Sequence, residues 1–418
     1  MRFLYSLILY LLIPPVVYRL LRRGLRNRGY WRRWGERFGF APRLAESILW
    51  VHAVSVGEVR AAAPLVRALQ RDYPGHRVLV TTMTPTGSAT VSDLFGDSVS
   101  HCYVPYDLPT AVARFLRRTR PKLALIMETE LWPNLFHACH MRQIPLVLAN
   151  VRLSEKSARG YRWFRTLTQA TLANVSRVGA QSEDDAIRMR ALGATAAEVT
   201  GSIKFELNVP ADLAQRAQTL RAGFGTRPVW VAASTRDGEE HQVLDALALI
   251  RQRVPNVLLV LVPRHPERFE WAARLCEQRG HTLARRSAGV SNIGTGTDIL
   301  LGDTMGELLL FYAAADVAFI GGSLRPLGGQ NLLESLAVGT PVVFGPHMFN
   351  FSEISAMALE RGAARQVHDS ADLAQAVGEF LVDAKSRQAA GDAGRRMVEE
   401  NRGALDRTLM LVRAVFKG

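Results

Sequence analysis

Cysteine is scarce in this chain, and acid is almost absent from one end of it. The three cysteines, Cys102, Cys139 and Cys276, are odd in number and far apart. They supply neither a disulfide framework nor a thiolate metal cluster, and they fit a reducing compartment. Residues 1–43 hold ten arginines against one acid, Glu36, so a tenth of the chain carries +9 of the formal +14. Charge so concentrated is one electrostatic device on a near-ordinary globular body, and it argues against a nucleic-acid surface spread over a domain. Also missing are a GxGxxG after an apolar run, a GxxxxGK[ST] and an Asp-x-Asp pair. Nicotinamide dehydrogenases, P-loop nucleotidases and acidic pairs that clamp a cation on a sugar diphosphate are thereby disfavoured. His137 and His140 lie one helical turn apart with no third ligand near them in sequence. A nucleotide-dependent enzyme of this composition is expected to work without a metal or other cofactor.

What is present suits a folded enzyme of two domains. At 418 residues, with 48% hydrophobic and 22% charged, the chain exceeds what one core usually serves. From Phe3 to Leu21 the only charge is Arg19, and Pro14 with Pro15 interrupts the run. As a helix it would reach ~28 Å, barely a bilayer core. Residues 1–35 are therefore expected to be an apolar membrane-anchor helix with a basic interfacial segment, whether spanning or lying in the interface. Arginines stand where a signal peptide would carry its cleavage site. The positive-inside bias and the attraction of arginine to anionic lipid lead one to expect a cytoplasmic body held against the inner face of a membrane.

Beyond Pro42, short apolar runs alternate with stretches of helical spacing. The runs Ile48–Val54, Val78–Thr82, Leu123–Met127 and Leu146–Ala149 read as strands covered on both faces. The rhythm pauses between Lys204 and Pro228, then resumes at Pro228–Ala233, Val257–Val262, Asp298–Leu301, Val317–Ile320 and Pro341–Phe344. Such alternation gives an α/β fold of two doubly wound, Rossmann-like domains, 36–205 and 206–418, facing an inter-domain cleft. Two helices, Ala384–Asn401 and Ala404–Phe416, are expected to close the second domain.

Chemistry-bearing residues gather where the strands end. Glu58 falls in the first turn of the helix after the first strand. It suits a general base on an acceptor hydroxyl, and equally an acid that complements the helix dipole. Thr84, Thr86, Gly87 and Ser88 expose hydroxyls and amides after the second strand, although Thr84 before Pro85 is also an ordinary N-cap. Glu128 and Glu130 stand two apart, so in extended chain they point to opposite faces and form no dyad; one can face the cleft while the other begins a helix. Arg264 can grip a phosphate bidentately, or serve a structural salt bridge. Gly302 and Gly306 bracket a turn containing Met305 and Glu307. In FIGGSLRPLGGQNLLE, two glycine pairs precede Asn331, read as the N-cap of a helix that carries Glu334 one turn inside for a ribose diol. Together these point to a nucleotide site in the second domain.

The motifs HAVSVGEVRAA, TTMTPTGSATV, YVPYDLP, METELWPNL, NVRLSEKSARGY, GSIKFE, VPRHPERF, GDTMGELLLFYAAADVAFIGGS and GPHMFNF, in that order, resemble the 3-deoxy-D-manno-octulosonic acid (Kdo) transferases. YWRRWGERFGF is similar too, so the likeness covers nearly the whole chain. The resemblance implies a GT-B glycosyltransferase that moves Kdo from CMP-Kdo to the lipid A precursor with inversion. It implies Glu58 as general base, with Glu128 and Lys204 supporting the transition state. It also implies CMP contacts from Pro263, Arg264, Met305, Gly306, Glu307, Asn331, Leu332, Leu333 and Glu334. The chain departs from the family in having Gln330 for a histidine and Leu332 for a proline. Another GT-B enzyme, such as a UDP-sugar transferase or a 2-epimerase, and a non-catalytic membrane scaffold are the alternative readings.

Overall fold

The computed structural model describes residues 1–26, 28–289 and 293–417, so residue 27 of the expected anchor segment and residues 290–292 and 418 of the expected second domain lie outside it. The chain divides into two compact units, Met1–Glu206 with Arg402–Gly418, and Leu207–Asn401.

The first unit is built on seven strands: β1 (Ile48–His52), β2 (Arg77–Thr82), β3 (Ser100–Tyr103), β4 (Pro121–Met127), β5 (Leu146–Val151), β6 (Arg177–Ala180) and β7 (Ala197–Val199). All pair in parallel, in the order β3-β2-β1-β4-β5-β6-β7. Trp50, Ile126 and Leu148 pack on one face, while Leu49, Val51 and Leu125 pack on the other. A parallel sheet must be covered on both faces because its crossovers are helices, which is why its strands read as unbroken apolar runs.

The second unit repeats the plan with β8 (Val229–Thr235), β9 (Leu258–Pro263), β10 (Leu283–Arg285), β11 (Ile299–Leu301), β12 (Val317–Ile320), β13 (Val342–Phe344) and β14 (Ala364–Gln366), ordered β10-β11-β9-β8-β12-β13-β14. Every run expected as a strand is one. The five strands without a stated expectation, β3, β6, β7, β10 and β14, have three or four residues each. In both sheets the first strand of the unit sits inside, and the chain winds outward on one side before returning on the other. The loops after β1 and β4, and those after β8 and β12, therefore diverge and open a crevice at the carboxyl end of each sheet.

Two expectations need correction. The final helix, Ala404–Val415, belongs to the first unit, not the second. Its Ala404, Leu409 and Val412 are buried with Val51, Val147 and Ala149, and Arg407 Nε donates to the Thr200 carbonyl at 2.8 Å. The anchor is likewise not one helix but two, Arg2–Leu11 and Ile13–Arg26, and over Arg2–Leu11 and Ile13–Leu25 the pair is bent by 48°. Pro14 and Pro15 lack the N–H groups that a continuous helix would donate to Tyr10 and Leu11. Among the described residues no single helix is long and apolar enough to cross a membrane.

Replacing Leu409 with alanine should cost about 2–5 kcal/mol, because its side chain is 1% exposed in a packed core. A lowered denaturation midpoint for the first unit, with the second unit's transition unmoved, is the expected result.

Candidate active site

Glu58 stands at the crevice of the first sheet, in the first turn of helix Val56–Asp72 that follows β1. The turn is built as a reciprocal cap. The Glu58 amide donates to Ser55 Oγ, that hydroxyl donates to Glu58 Oε1 at 3.0 Å, and the Val54 amide donates to Oε2 at 2.8 Å. The carboxyl is 9% exposed. Burial pushes its pKa up from 4.5 to about 7, the Glu128 and Glu130 charges add to the rise, and the Val54 and Ser55 hydrogen bonds oppose it. The same acid thus closes the helix cap and carries a raised proton affinity. A general base working at neutral pH needs this pKa.

Glu128 follows β4 with φ 58°, and its amide donates to the Ala149 carbonyl at 2.8 Å. The left-handed residue breaks the extended alternation expected for Glu128 and Glu130, and both charges act on Glu58. Neither begins a helix: the next helix, Pro133–His140, starts after Trp132, whose Nε1 donates to Glu130 at 2.9 Å. Lys204 lies in the turn Ile203–Phe205, and Ile203 is buried in the same core as Val59 and Val66 of the Glu58 helix. Among the described residues no ion pair holds Lys204. Thr84 proves to be the ordinary N-cap, accepting from the Gly87 amide at 3.0 Å.

Asn150 went unnoticed in the sequence. It is fully buried in β5 at φ 58°, its Oδ1 accepts from the Ile203 amide at 3.0 Å, and it adjoins the residue that bonds Glu128. It ties the Lys204 turn to the sheet edge. The signal was an amide in the otherwise apolar run LVLANV.

In the second unit, Pro263 closes β9 and Arg264 follows it. Arg264 Nε donates to Gln330 Oε1 at 3.2 Å, so the residue that replaces the family's histidine aims the guanidinium. Asn331 Nδ2 donates to Glu334 at 3.3 Å. Burial raises the Glu334 pKa, while Asn331 and the Arg264 charge pull it back. Asn331 is not the N-cap: the helix is Leu333–Val338 with Leu332 capping, and Asn331 Oδ1 accepts from the Leu333 amide at 3.1 Å. The helix starts one residue later than expected from the sequence. Leu332 and Leu333 are buried, and their backbone is engaged within the turn: the Leu333 amide bonds Asn331 Oδ1 and the Leu332 carbonyl accepts from the Leu336 amide at 3.2 Å, so neither offers the CMP contact expected of it. Met305 is exposed, Gly306 has φ 80°, and the Glu307 carboxylate is held by Arg286 at 2.8 Å, which lowers its pKa. These three follow β11, at the same sheet edge as Arg264, but Glu307 is tied to Arg286 and not to the Arg264 cluster.

The first glycine pair does not cradle a phosphate through its amides. The Gly322, Ser323 and Leu324 amides donate to the carboxylate of Glu239 at 2.6, 3.0 and 3.0 Å, and Arg236 adds a fourth at 2.9 Å. Gly321 is required by packing, since a Cβ there would meet the Ser234 carbonyl oxygen at 2.5 Å. Glu239 is fully buried and was missed in the sequence, where TRDGEE reads as a helix start. It fixes the turn against which the Gly329 amide bonds the Gly322 carbonyl at 2.7 Å.

Comparison with known proteins settles the family. Residues 32–207 match the model described as 3-deoxy-D-manno-octulosonic-acid transferase (kdotransferase), and residues 239–397 match glycosyl transferases group 1. The 3-deoxy-D-manno-octulosonic acid transferase of Haemophilus influenzae is 42% identical over 99% of this chain and 98% of its own length. This chain belongs to the 3-deoxy-D-manno-octulosonic acid transferase family. The transferase of that name from Bordetella pertussis is 41% identical, over 98% of each chain. The UDP-GlcNAc 2-epimerase of Neisseria meningitidis, solved with UDP-GlcNAc, shares the fold with a TM-score of 0.55 at 14% identity, covering 89% of this chain and 100% of that one. The architecture is GT-B-like, and the enzyme is a glycosyltransferase.

Two outcomes test this geometry. Because the Glu58 pKa is raised in the fold, its stabilising contribution is complete below about pH 4.5 and is lost as pH rises through about 7. Glu58→Gln should thus match the wild type in stability at pH 4 and exceed it by about 2–3 kcal/mol at pH 8, read from denaturation midpoints. Glu239→Gln, which turns an N–H donor toward four amides, should destabilise the second unit by about 2–4 kcal/mol and weaken CMP binding at least tenfold in calorimetric titration.

Proposed function

We propose that this transferase moves Kdo from CMP-Kdo to a hydroxyl of the lipid A precursor, lipid IVA, with inversion and with Glu58 as the general base. The observation that carries the reading is the Glu58 carboxyl, fixed by two hydrogen bonds and poised near pH 7 at the crevice of the first sheet. The acceptor hydroxyl gives its proton to Glu58 as its oxygen bonds the anomeric carbon. The bond from that carbon to the CMP phosphate oxygen breaks, and the electron pair leaves with the phosphate. Arg264, aimed by Gln330, neutralises the departing phosphate, and the backbone at Met305–Glu307 with the Asn331 and Glu334 side chains holds the nucleotide. Lys204 offsets the Kdo carboxylate as the reacting carbon becomes cationic, and Glu128 keeps the Glu58 proton affinity high.

The amino-terminal helices bring this chemistry to a membrane surface. Helix Ile13–Arg26 exposes Tyr18, Leu21 and Leu25 together with Arg19, Arg22 and Arg23, and Trp31 follows it, exposed. Apolar side chains beside arginine suit the boundary of an anionic leaflet, here the cytoplasmic face of the inner membrane.

Purified enzyme with CMP-Kdo and lipid A precursor should give a Kdo adduct by mass spectrometry, with CMP outcompeting UMP. Glu58→Ala should lower kcat about 10²–10⁴-fold with the protein folded. Unchanged turnover in that variant would remove Glu58 as the base, and failure of any acceptor to gain Kdo would leave the scaffold reading.

A further inference from the structure

Beneath the amino-terminal helices lies a cavity of about 290 Å³. Leu9, Leu12 and Val16 wall it on the helical side, and Leu108, Leu131 and Trp132 wall it on the side of the body. Most of the lining is apolar, with polar atoms from Tyr5, Tyr106, Asp107 and Glu130, so the apolar part favours hydrocarbon over water. Two carboxylates border it, and they differ. Asp107 is occupied as an acceptor for the Asn134 and Leu135 amides at 3.0 and 2.7 Å. Glu130 accepts from Trp132 at 2.9 Å and belongs to the charge cluster that raises Glu58. The cavity therefore joins an apolar wall to a polar part that includes Glu130, whose charge acts on the candidate base. It also meets solvent-facing apolar surface: Leu12 lines the cavity yet is 46% exposed, and Phe3, Leu4, Leu7 and Leu11 of the same helical pair are exposed beside it.

We propose that this cavity receives one hydrocarbon chain of the acceptor lipid, so that the chain's depth in the cavity sets the acceptor hydroxyl before Glu58. The proposal rests on the acceptor being an acylated sugar, as argued above. A chain from an amphiphile is the occupant that fits, because the wall is mostly apolar, carboxylates and tyrosines supply its polar part, and Leu12 joins it to exposed apolar surface. Each methylene withdrawn from water there is worth about fourfold in affinity.

The test uses the full chain and acceptors of graded acyl length. In the wild type, KM should fall about fourfold per added methylene until the cavity is filled. Leu108→Trp and, independently, Val16→Phe occupy the space. Each should raise KM for the long-chain acceptor at least tenfold and flatten the dependence on chain length, while KM for CMP-Kdo stays put. A binding readout needs no turnover: a brominated decyl glycoside should quench tryptophan fluorescence saturably, and Trp132→Phe should abolish the saturable part. Folded variants that keep the full chain-length dependence, or a wild type without saturable quenching, overturn the proposal. If no acceptor gains Kdo, it is the assigned reaction that fails, and the quenching experiment still decides the cavity.

Discussion

Removal of water from one carboxyl group organises the first unit. Burial raises the Glu58 proton affinity to near neutrality, and a group held that way must be fixed, or it would swing outward to solvent and recover its ordinary acidity. The cap formed by Ser55 and Val54 prevents this, and it exists because a strand ends and a helix begins within three residues. The two neighbouring acids arrive because the chain returns to the opposite side of β1 at β4. Winding order, and no special fold, brings Glu58 and Glu128 to one crevice.

The second unit also buries a carboxylate, and burial again raises its proton affinity, but here four backbone amides oppose the rise. Glu239 is fully enclosed, but four backbone amides face it, so its charge acts as an internal anchor for the loops after β8 and β12. An anion the protein supplies itself occupies the place where glycine-rich turns in other folds hold phosphate. Arg264 and the segment from Gln330 onward lie outside that cage of amides, and Gln330 sets the guanidinium by a hydrogen bond no protonation change can break.

Much of this could be read from the residues in order. Strands buried on both faces announce themselves as apolar runs, and Glu58, Arg264 and Glu334 sit where strand-to-helix turns put chemistry in any doubly wound sheet. What escaped depends on contacts distant in sequence. Nothing in TRDGEE says that its acid will face amides more than eighty residues later. Nothing in LVLANV reveals that Asn150 turns left-handed to hold the Lys204 turn. Leu409 and Val412 look like any amphipathic stripe until the sheet they cover is known. The break between the first two helices was visible as Pro14 and Pro15, but its 48° angle was not.

The return of helix Ala404–Val415 to the first unit gives the molecule an order of assembly. As the polypeptide leaves the ribosome, the β1–β7 sheet emerges complete but with one patch of its apolar face bare. That patch stays uncovered until all of Leu207–Asn401 has been synthesised. At about 5–20 residues per second the delay is on the order of 10–40 s. During that interval the nascent first unit exposes apolar surface that a chaperone can cover, until helix Ala404–Val415 seals it.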